Sequence, residues 1–556
     1  MRKKILIFKN RFLEEMRVLD EKFFLWPLFL LAIYAITLIL FRSSGSFQGD
    51  EAIYSQIARE SIESGSYLSL YWQDKLWFEK PPLIIWLTIF PFRIFGVSEF
   101  VAHIIPGIFG IAGATAVYFF SLEFFKKRLA AFLSGFIFLT TPIILWSIRS
   151  NMMDLPVGVF ISASMFYFWK VLKGNPKCWR LFGLFSGLAV MTKGAVGFLP
   201  FVIVAIFVFL EKKERLLKEK YFWQGLILCL VIFLPWHLLM TMQYGNLFWQ
   251  DYFGYHVWKR FSQPILNTSW NDNCFSYILL FFERSGAWSF MLVVAMFFAF
   301  TKDVRKKYGE KIKLLLVWIL TIFFLFTLAK TKLPQYIIPL YFPVVIFLGG
   351  MITEMIRNKK WQWVLIMGII SLGNFLPSFS LKVSNFGEAH ILVPKFFSRF
   401  LGFSDLGLMS VFVIGFVVFL GTIYYYRKNL SMVMMIAISV IIGMNVIIPF
   451  HPNRNDFIKK LGLEISQKVD NVPVNLYLIK KPEHFSTGMI LPFYLPLVSK
   501  ADNLGEREIA INNFAQKEKV TLCFFEKDFV TQRIHGISIL SYDEGDVLSC
   551  DLLIKK

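Results

Sequence analysis

The stretch GDEAIYSQIARE, residues 49–60, follows the first long apolar run of the chain, residues 23–41. About one helix length later the chain carries FEKPP, residues 78–82. An apolar run of this length approaches the ~20 residues that cross a bilayer. The charged residues that follow it therefore lie together on one side of a membrane. We interpret the rest of the chain as a scaffold that returns polar groups to that side.

The composition also indicates a membrane protein. The 556 residues are 56% hydrophobic and include 64 Phe and 16 Trp, and the mean hydropathy is +0.57. This apolar content exceeds what the core of a soluble protein can hide. The formal net charge is +21, but Lys and Arg fall mainly in short runs between apolar segments, where they set topology. No basic stripe with interleaved aromatic residues is present, so nucleic acid is not an expected partner.

Thirteen apolar segments approach the length of a membrane span. They are residues 23–41, 99–120, 129–147, 155–172, 179–193, 195–210, 221–243, 275–300, 313–329, 335–355, 361–379, 405–426 and 430–449. Residues 82–96 are apolar but few, and Pro91 and Arg93 interrupt them, so we predict a juxtamembrane or re-entrant helix there.

The basic loops support thirteen spans rather than fourteen. With thirteen, six basic loops share the side of the basic N-terminus, as the positive-inside rule requires. These loops are residues 126–128, 173–180, 211–220, 302–313, 357–360 and 427–428. A fourteenth span at residues 82–96 would move all six to the outer side.

The composition changes after Phe450 to short alternating segments that are typical of strands. We predict a transmembrane domain, 1–449, with a catalytic outer loop, 42–98, and a small soluble α/β domain, 450–556, on the outer face. The fold class is a polytopic α-helical membrane protein with outer juxtamembrane helices.

The N-terminus and the cysteines suggest no further processing. Residues 1–22 are charged and no convincing cleavage site follows, so the first span is expected to remain as an anchor. The five cysteines show no zinc-type spacing, and we expect free thiols.

The predicted topology gathers several polar motifs at the outer face. They are the loop at 42–81 with Asp50, Glu51, Glu79 and Lys80, RSNMMD at 149–154, TKG at 192–194, YHVWKRF at 255–261 and KTKLPQY at 330–336. In this order the motifs resemble those of the polyprenyl-phosphate-sugar-dependent glycosyltransferases. Within that class the chain is most similar to the aminoarabinose transferases of lipid A and the wider protein O-mannosyltransferase-like family. The resemblance covers about residues 23–355.

The resemblance implies a GT-C-type fold in the cytoplasmic (inner) membrane, an extracytoplasmic active site and transfer with inversion. The implied partners are a polyprenyl-phosphate sugar donor, a glycolipid or protein acceptor, and membrane lipids. The chain departs from the aminoarabinose transferases at Ile53, where those proteins usually have arginine. A phosphate contact expected at that position must therefore come from elsewhere.

The chemistry of such a transfer suits these residues. A lipid phosphate leaves as a stable anion, so the enzyme needs cations to stabilise it and one carboxylate to orient or deprotonate the acceptor. We predict Asp50 as that carboxylate, with the helix N-cap as its structural alternative. Asp154 is the second catalytic candidate, and a helix N-terminus would equally attract it.

Cations and aromatic residues supply the remaining candidates. Lys80 is the predicted phosphate contact, and Lys193 and Lys332 are further candidates, although lysines near span ends also snorkel without any ligand. The other predicted donor-phosphate residues are Arg59 and Tyr54, and the predicted acceptor or pocket residues are Glu51, Tyr336 and Arg260.

A metal is not required by any motif, since neither Asp-x-Asp nor His-Glu-x-x-His occurs. Glu79 and His256 could bind a divalent ion, because both residue types ligate metals, but an ordinary polar contact remains the alternative. We expect a monomer. A transporter or flippase for a lipid-linked sugar is the competing class, yet transporters place charges near the midplane and often contain two related halves. Here the charges cluster at one face and no repeat is evident.

Overall fold

A computed structural model describes residues 47, 49–73, 75–264, 276–285, 288–358, 360 and 363, and five strands between residues 474 and 555. The described part up to residue 363 is mainly helical. Four predicted spans lie wholly or almost wholly outside the described residues: 23–41, 361–379, 405–426 and 430–449. The total of thirteen spans and the domain boundary at 449/450 therefore stay predictions.

The chain first forms helix α1 (Asp50–Ser64), then a short antiparallel hairpin of β1 (Tyr71–Trp72) and β2 (Lys75–Leu76), then helix α2 (Leu83–Phe95). The backbone N–H of Gln73 at the hairpin turn donates to Glu60 Oε2 at 3.0 Å, so α1 holds the hairpin. Helix α2 has 13 residues, or about 20 Å, which is too short to cross the ~30 Å apolar layer. This length agrees with the predicted juxtamembrane helix.

The following helices form a bundle. They are α3 (Glu99–Ala102), α4 (Ile104–Phe125), α5 (Arg128–Thr140), α6 (Pro142–Ser147), α7 (Asp154–Leu172), α8 (Trp179–Lys193), α9 (Leu199–Leu210), α10 (Lys220–Tyr244), α11 (Asn246–Trp249), a π-helix (Gln250–Lys259), α12 (Arg260–Ser262), α13 (Ser276–Arg284), α14 (Trp288–Ala299), α15 (Lys302–Leu328) and α16 (Ile338–Arg357). Four 3₁₀ turns occur between them, at Pro176–Cys178, Gly194–Phe198, Glu214–Lys218 and Pro334–Ile337.

Within the described residues, six helical stretches are long and apolar enough to cross a membrane, judged by length and composition. They are Glu99–Phe125, Asp154–Leu172, Pro176–Leu210, Lys220–Tyr244, Lys302–Leu328 and Pro334–Arg357. The 35-residue stretch Pro176–Leu210 contains two of the predicted spans, and the 3₁₀ turn Gly194–Phe198 separates them into α8 and α9.

The predicted span 129–147 is divided in the structure. Helix α5 ends at Thr140, and α6 begins at Pro142. The residue before a proline is driven out of the helical region, and Thr141 indeed has an extended ψ of 122°. The apolar segment is present as predicted, but it forms two short helices.

Two glycines fix the direction of α8 against α10. A Cβ added to Gly183 would lie 1.8 Å from the carbonyl oxygen of Gly225, so only glycine allows the two backbones to approach this closely. Four residues further along α8, Gly187 lies against Cys229, which is four residues further along α10. Helices α8 and α10 therefore run parallel. Helix α9, which comes between them in the sequence, runs in the opposite direction. This is the order that the basic-loop argument requires.

Ion pairs show that the basic loops share one end of the bundle, here called the basic end. Glu354 near the end of α16 pairs with Lys127 and Lys307. Glu310 on α15 pairs with Lys213 and lies 3.9 Å from Lys173. Four of the six basic loops thus meet at one end, as predicted. Which side of a membrane this end faces stays a prediction.

The five strands towards the C-terminus form one mixed sheet in the order β4-β3-β5-β7-β6. They are β3 (Val474–Ile479), β4 (Val498–Leu504), β5 (Thr521–Phe525), β6 (Ile537–Asp543) and β7 (Ser549–Lys555). Strand β3 is parallel to β4 and β5, whereas β7 is antiparallel to β5 and β6. The predicted strand segments at 474–479 and 520–525 coincide with β3 and β5.

Candidate active site

The end of the bundle opposite the basic end carries the candidate site and is called the site end. It combines the starts of α1 and α7, the end of α8, the segment 78–82, the π-helix with α12, and the turn at 330–336. On α7, Asp154 and Leu172 stand at opposite ends, roughly 27 Å apart along the axis. Residues from six distant parts of the sequence therefore meet far from the basic end.

Glu79 is the centre of the cluster. Its Oε1 lies 3.0 Å from Lys80 Nζ, 2.8 Å from Arg260 Nη1 and 3.7 Å from His256 Nδ1. Burial alone would raise the pKa of Glu79, but the positive charges of Lys80, Arg260 and His256 outweigh it and hold the pKa at about 2. Glu79 is thus a permanently charged anchor for the cations, which makes it a poor proton acceptor.

Asp50 has the opposite electrostatic setting. Burial and then the negative charge of Glu79 raise its pKa to about 6, although Lys80 and Arg260 act against this shift. A carboxylate that titrates near neutral pH can accept a proton and release it again, as a general base must. The two carboxylates therefore differ in the task that they can perform.

The alternative of an N-cap role for Asp50 does not hold. Gly49 occupies the N-cap position with φ 56°, a left-handed conformation that favours glycine, and Asp50 is the first residue of the helix. No side-chain hydrogen bond is formed at the N-cap of α1. The carboxylate of Asp50 is consequently not engaged in capping.

The second acidic candidate is paired. Asp154 is 3% exposed, and its Oδ1 forms an ion pair with Lys193. Lys193 Nζ also lies 4.5 Å from the ring centroid of Tyr336, an attractive cation–π geometry. The structure thus brings together three residues that the sequence assigns to the site from three separate motifs.

Lys80 and Tyr54 lie within the same charged group. Burial, reinforced by Arg260 and Lys193, lowers the pKa of Lys80, while Glu79 opposes that shift. Tyr54 is buried next to Trp77, with ring centroids 6.0 Å apart. Burial, then Asp50 and Glu79, raise the pKa of Tyr54, so its hydroxyl stays a donor.

A π-helix positions His256 and Arg260. Such helices are rare and often occur at functional sites. In this one, His256 Nε2 approaches Asp251 Oδ1 at 3.4 Å while the opposite ring nitrogen faces Glu79. Arg260 follows directly and reaches the same Glu79 oxygen. Its Nε is buried and has no hydrogen-bond partner among the described residues, so one donor of the guanidinium is unused.

The turn at 330–336 is attached to the Arg260 segment by the backbone. The N–H of Lys330 donates to the carbonyl of Phe261 at 2.9 Å, and the N–H of Thr331 donates to that of Arg260 at 3.0 Å. Lys332 is 3% exposed and donates to the carbonyl of Ala329 at 2.8 Å. The turn that carries Lys332 therefore adjoins the Arg260 segment, and the Lys332 ammonium group bonds the backbone of its own turn.

Arg59 and Glu51 are placed differently from the rest. Arg59 pairs with Glu63 at 2.8 Å, and it lies roughly 13 Å from Asp50 along α1. Glu51 is 2% exposed; its Oε2 accepts from the backbone N–H of Asn151 at 3.0 Å and lies 3.4 Å from His103 Nε2. The phosphate role of Arg59 and the pocket role of Glu51 stay predictions, but these contacts give both residues structural tasks.

Several residues at the site were not predicted. Asn151 donates from Nδ2 to Ser55 at 3.1 Å and so joins α1 to the turn before α7. Tyr252 on the π-helix contacts His237 Nε2 through its hydroxyl at 3.0 Å. Asn151 lies inside the RSNMMD motif, which was a usable signal. Asp251 gave no such signal, because it lies five positions before His256 in the sequence and only a π-helix brings residues at that spacing together.

The two residues that we predict as possible metal ligands lie close to each other. Glu79 and His256 lie 3.7 Å apart. Within the described ranges, no group of three or more His, Cys, Asp or Glu side chains could hold a metal ion. The metal role of this pair stays a prediction.

Known proteins resemble this chain in sequence and in fold. A family model described as dolichyl-phosphate-mannose-protein mannosyltransferase matches residues 79–238. An undecaprenyl phosphate-alpha-4-amino-4-deoxy-L-arabinose arabinosyl transferase of Proteus mirabilis is 27% identical over 350 residues, 62% of each chain. An uncharacterized protein of Aquifex aeolicus is 24% identical over 383 residues, 67% of this chain and 74% of its own.

The match to the arabinosyl transferases spans less than two thirds of their length. The crystal structure of ArnT from Cupriavidus metallidurans bound to undecaprenyl phosphate superposes with a TM-score of 0.72 at 19% identity, covering 94% of this chain and 97% of that one. Such a likeness shows a shared fold. The resemblance predicted from the motifs is confirmed, and this chain is similar to the polyprenyl-phosphate-sugar-dependent membrane glycosyltransferases of the GT-C type.

Proposed function

We propose that this protein transfers a sugar from a polyprenyl-phosphate-linked donor to an acceptor, either a glycolipid or a protein, with inversion at the anomeric carbon. The site would face the outer side of the cytoplasmic membrane. The observation that carries the proposal is that Asp50 lies within the electrostatic reach of the buried cations Lys80 and Arg260, which Glu79 holds at one end of an apolar bundle. The resemblance to lipid-phosphate-dependent transferases supports the same chemistry.

The reaction divides between two groups of side chains. Asp50, as a carboxylate, takes the proton of an acceptor hydroxyl, whose oxygen attacks the anomeric carbon. The bond between that carbon and the phosphate oxygen breaks, and the phosphate keeps the electron pair. Lys80 and Arg260 stabilise the negative charge that grows there. No proton has to be delivered to the leaving group, because the phosphate leaves as a stable anion.

Glu79 has a supporting role in this scheme. It holds Lys80 and Arg260 at 3.0 Å and 2.8 Å from one oxygen. An incoming phosphate would meet a pre-arranged pair of donors, including the unused Nε of Arg260. Asp154 and Lys193 form the adjacent pair and would contact the sugar or the acceptor.

The proposal is tested with detergent-purified full-length protein and a labelled polyprenyl-phosphate sugar. Addition of a lipid or peptide acceptor should release unlabelled polyprenyl phosphate and move the label onto the acceptor in one-to-one amount. A flippase would instead move the intact donor across a vesicle bilayer and leave it uncleaved. Translocation without cleavage, in the presence of every acceptor class, would refute the transferase assignment.

A further inference from the structure

Lys311 at the basic end has surroundings unlike those of the neighbouring lysines. Its Nζ lies 5.8 Å from the ring centroid of Phe124, 5.8 Å from that of Trp169 and 5.4 Å from that of Tyr308. The side chain is half-buried. Its partners in the described part of the chain are these rings, and no carboxylate there lies within ion-pair distance. No carboxylate of the described residues therefore forms an ion pair with this ammonium group, although Glu310 lies close enough to attract it.

The nearby carboxylates are already engaged. Glu123 binds Lys126 at 2.6 Å and Lys170 at 3.0 Å. Glu354 and Glu310 hold a further four lysines, namely Lys127, Lys307, Lys213 and Lys173. With Lys311 included, seven ammonium groups stand against three carboxylates. These ten groups together therefore carry a surplus of positive charge.

Lys173 is the lysine best placed to act with Lys311. Its Nζ lies 4.2 Å from the centroid of the Trp169 ring, which Lys311 also faces. Its distance of 3.9 Å to Glu310 is the longest of the ion pairs here, and its side chain is 47% exposed. Lys173 repels the Lys311 ammonium group, whereas Glu310 attracts it. Two cations around one indole ring favour an anion between or beside them.

Helix ends explain only part of this arrangement. Helices α4 and α7 finish here, and the partial negative charge of a helix C-terminus attracts cations in its last turn. That accounts for Lys170 near the end of α7. Lys311 belongs to a third helix and lies nine residues after its start at Lys302. It faces the aromatic rings of the two neighbouring helices and therefore needs another explanation.

We propose that Lys311 and Lys173 bind the phosphate of an anionic phospholipid headgroup from the leaflet next to the basic end. A phosphate accepts charge-assisted hydrogen bonds from two ammonium groups at once. Trp and Tyr are enriched at the depth of lipid headgroups, and basic pockets between membrane helices bind anionic headgroups. The site is separate from the candidate active site, which lies at the other end of the same helices.

The test compares charge-matched variants of the full-length protein by native mass spectrometry. Phosphatidylglycerol and phosphatidylethanolamine with identical acyl chains are the two probes. Wild-type protein should retain phosphatidylglycerol in preference to phosphatidylethanolamine. Lys311→Gln should lower that retention about fivefold, the order expected for one lysine at an anionic lipid surface. Lys311→Arg should restore it.

Lys306→Gln is the matched control, because Lys306 is exposed on the same helix and the substitution removes the same charge. It should retain phosphatidylglycerol as the wild-type protein does. Equal retention by Lys311→Gln and Lys306→Gln would overturn the site. Complete displacement of the lipid by millimolar inorganic phosphate would overturn the lipid assignment. If Lys311→Gln unfolds, Lys173→Gln serves in its place and should also lower retention.

Discussion

The two ends of the helical bundle use the same residue types in opposite ways. At the site end, Asp50, Glu79 and Asp154 stand against Lys80, Lys193 and Arg260, so buried charges of both signs balance. At the basic end, lysines outnumber the glutamates that bind them. The balanced end can bind and release a charged substrate, whereas the unbalanced end is suited to orienting the chain and holding anions.

The largest expected effect is at the centre of the balanced end. Asp50→Asn removes the proton-accepting carboxylate but keeps its size, and loss of a positioned base lowers kcat by ~10²- to 10⁴-fold. The measurement is transfer of labelled sugar at saturating donor. Expression and donor binding should stay close to those of the wild-type protein.

The control is Asp303→Asn, which removes an exposed aspartate from the first turn of α15 at the basic end. It reproduces any loss of favourable interaction with a helix N-terminus and should leave kcat unchanged. Near wild-type transfer by Asp50→Asn would direct the search for the base to Asp154 or Glu51.

Lys80→Ala is expected to have the next largest effect, on donor affinity. A hydrogen bond to a charged group contributes about 1.5 to 3 kcal/mol, or about 10- to 150-fold in Kd. Binding of the polyprenyl-phosphate sugar should weaken by that factor, while Lys80→Arg recovers part of it. Lys75→Ala, an exposed lysine in the same loop, is the matched control. Unchanged Kd in Lys80→Ala would exclude this lysine from the phosphate site.

The pH dependence of kcat/KM should separate the two central carboxylates. Asp50 is active as its carboxylate and has a pKa of about 6, so kcat/KM should fall about tenfold per pH unit below that value. Glu79, with a pKa of about 2, stays ionised across this range. The residual activity of Asp50→Asn should lack the acidic limb. A limb that persists in this variant would assign the titration to another group.

The smallest effect on transfer is expected from Glu354→Gln at the basic end. Glu354 is 2% exposed and binds Lys127, Lys307 and the hydroxyl of Tyr308. Removing one partner of a buried ion pair costs about 3 to 5 kcal/mol of stability, so the melting temperature should fall. Transfer below that temperature should stay within about twofold, since neither the base nor the cations change.

Glu63→Gln provides the comparison, because its 46% exposed carboxylate pairs with Arg59 at the surface of α1 and such pairs contribute about 0 to 1 kcal/mol. A large loss of transfer in Glu354→Gln, with the protein still folded, would show that the two ends are not independent.

Much of the contrast between the basic end and the site end can be predicted from the sequence, because runs of charged and of apolar residues are local features of the chain. Runs of lysine between apolar segments place the basic end, and the motifs around Asp50, Glu79, Asp154 and Lys193 mark the site end. The break at Thr141–Pro142 was available from the proline, but the length of the apolar run concealed it. The π-helix was not predictable from the sequence. Whether a segment forms i→i+5 hydrogen bonds instead of i→i+4 bonds depends on the tertiary packing around it.

The side-chain partners were the least accessible to sequence. Glu51 and Asp50 are adjacent in the chain, yet one is enclosed by Asn151 and His103 while the other faces the cations. Successive helical residues point about 100° apart, so neighbours in sequence are assigned to different surroundings by the packing around them. The motif assigns Arg59 to the phosphate residues, and its ion pair with Glu63 on the same helix is a contact that the motif does not indicate.

The two backbone hydrogen bonds between 260–261 and 330–331 bear on how related chains can vary in length. They join Arg260 to the turn that holds Lys332 although some seventy residues separate the two. Because the entropic cost of closing a loop grows only slowly with its length, insertions or deletions between these points change little at the junction itself. Relatives can therefore differ in length between these motifs and still present the same cations.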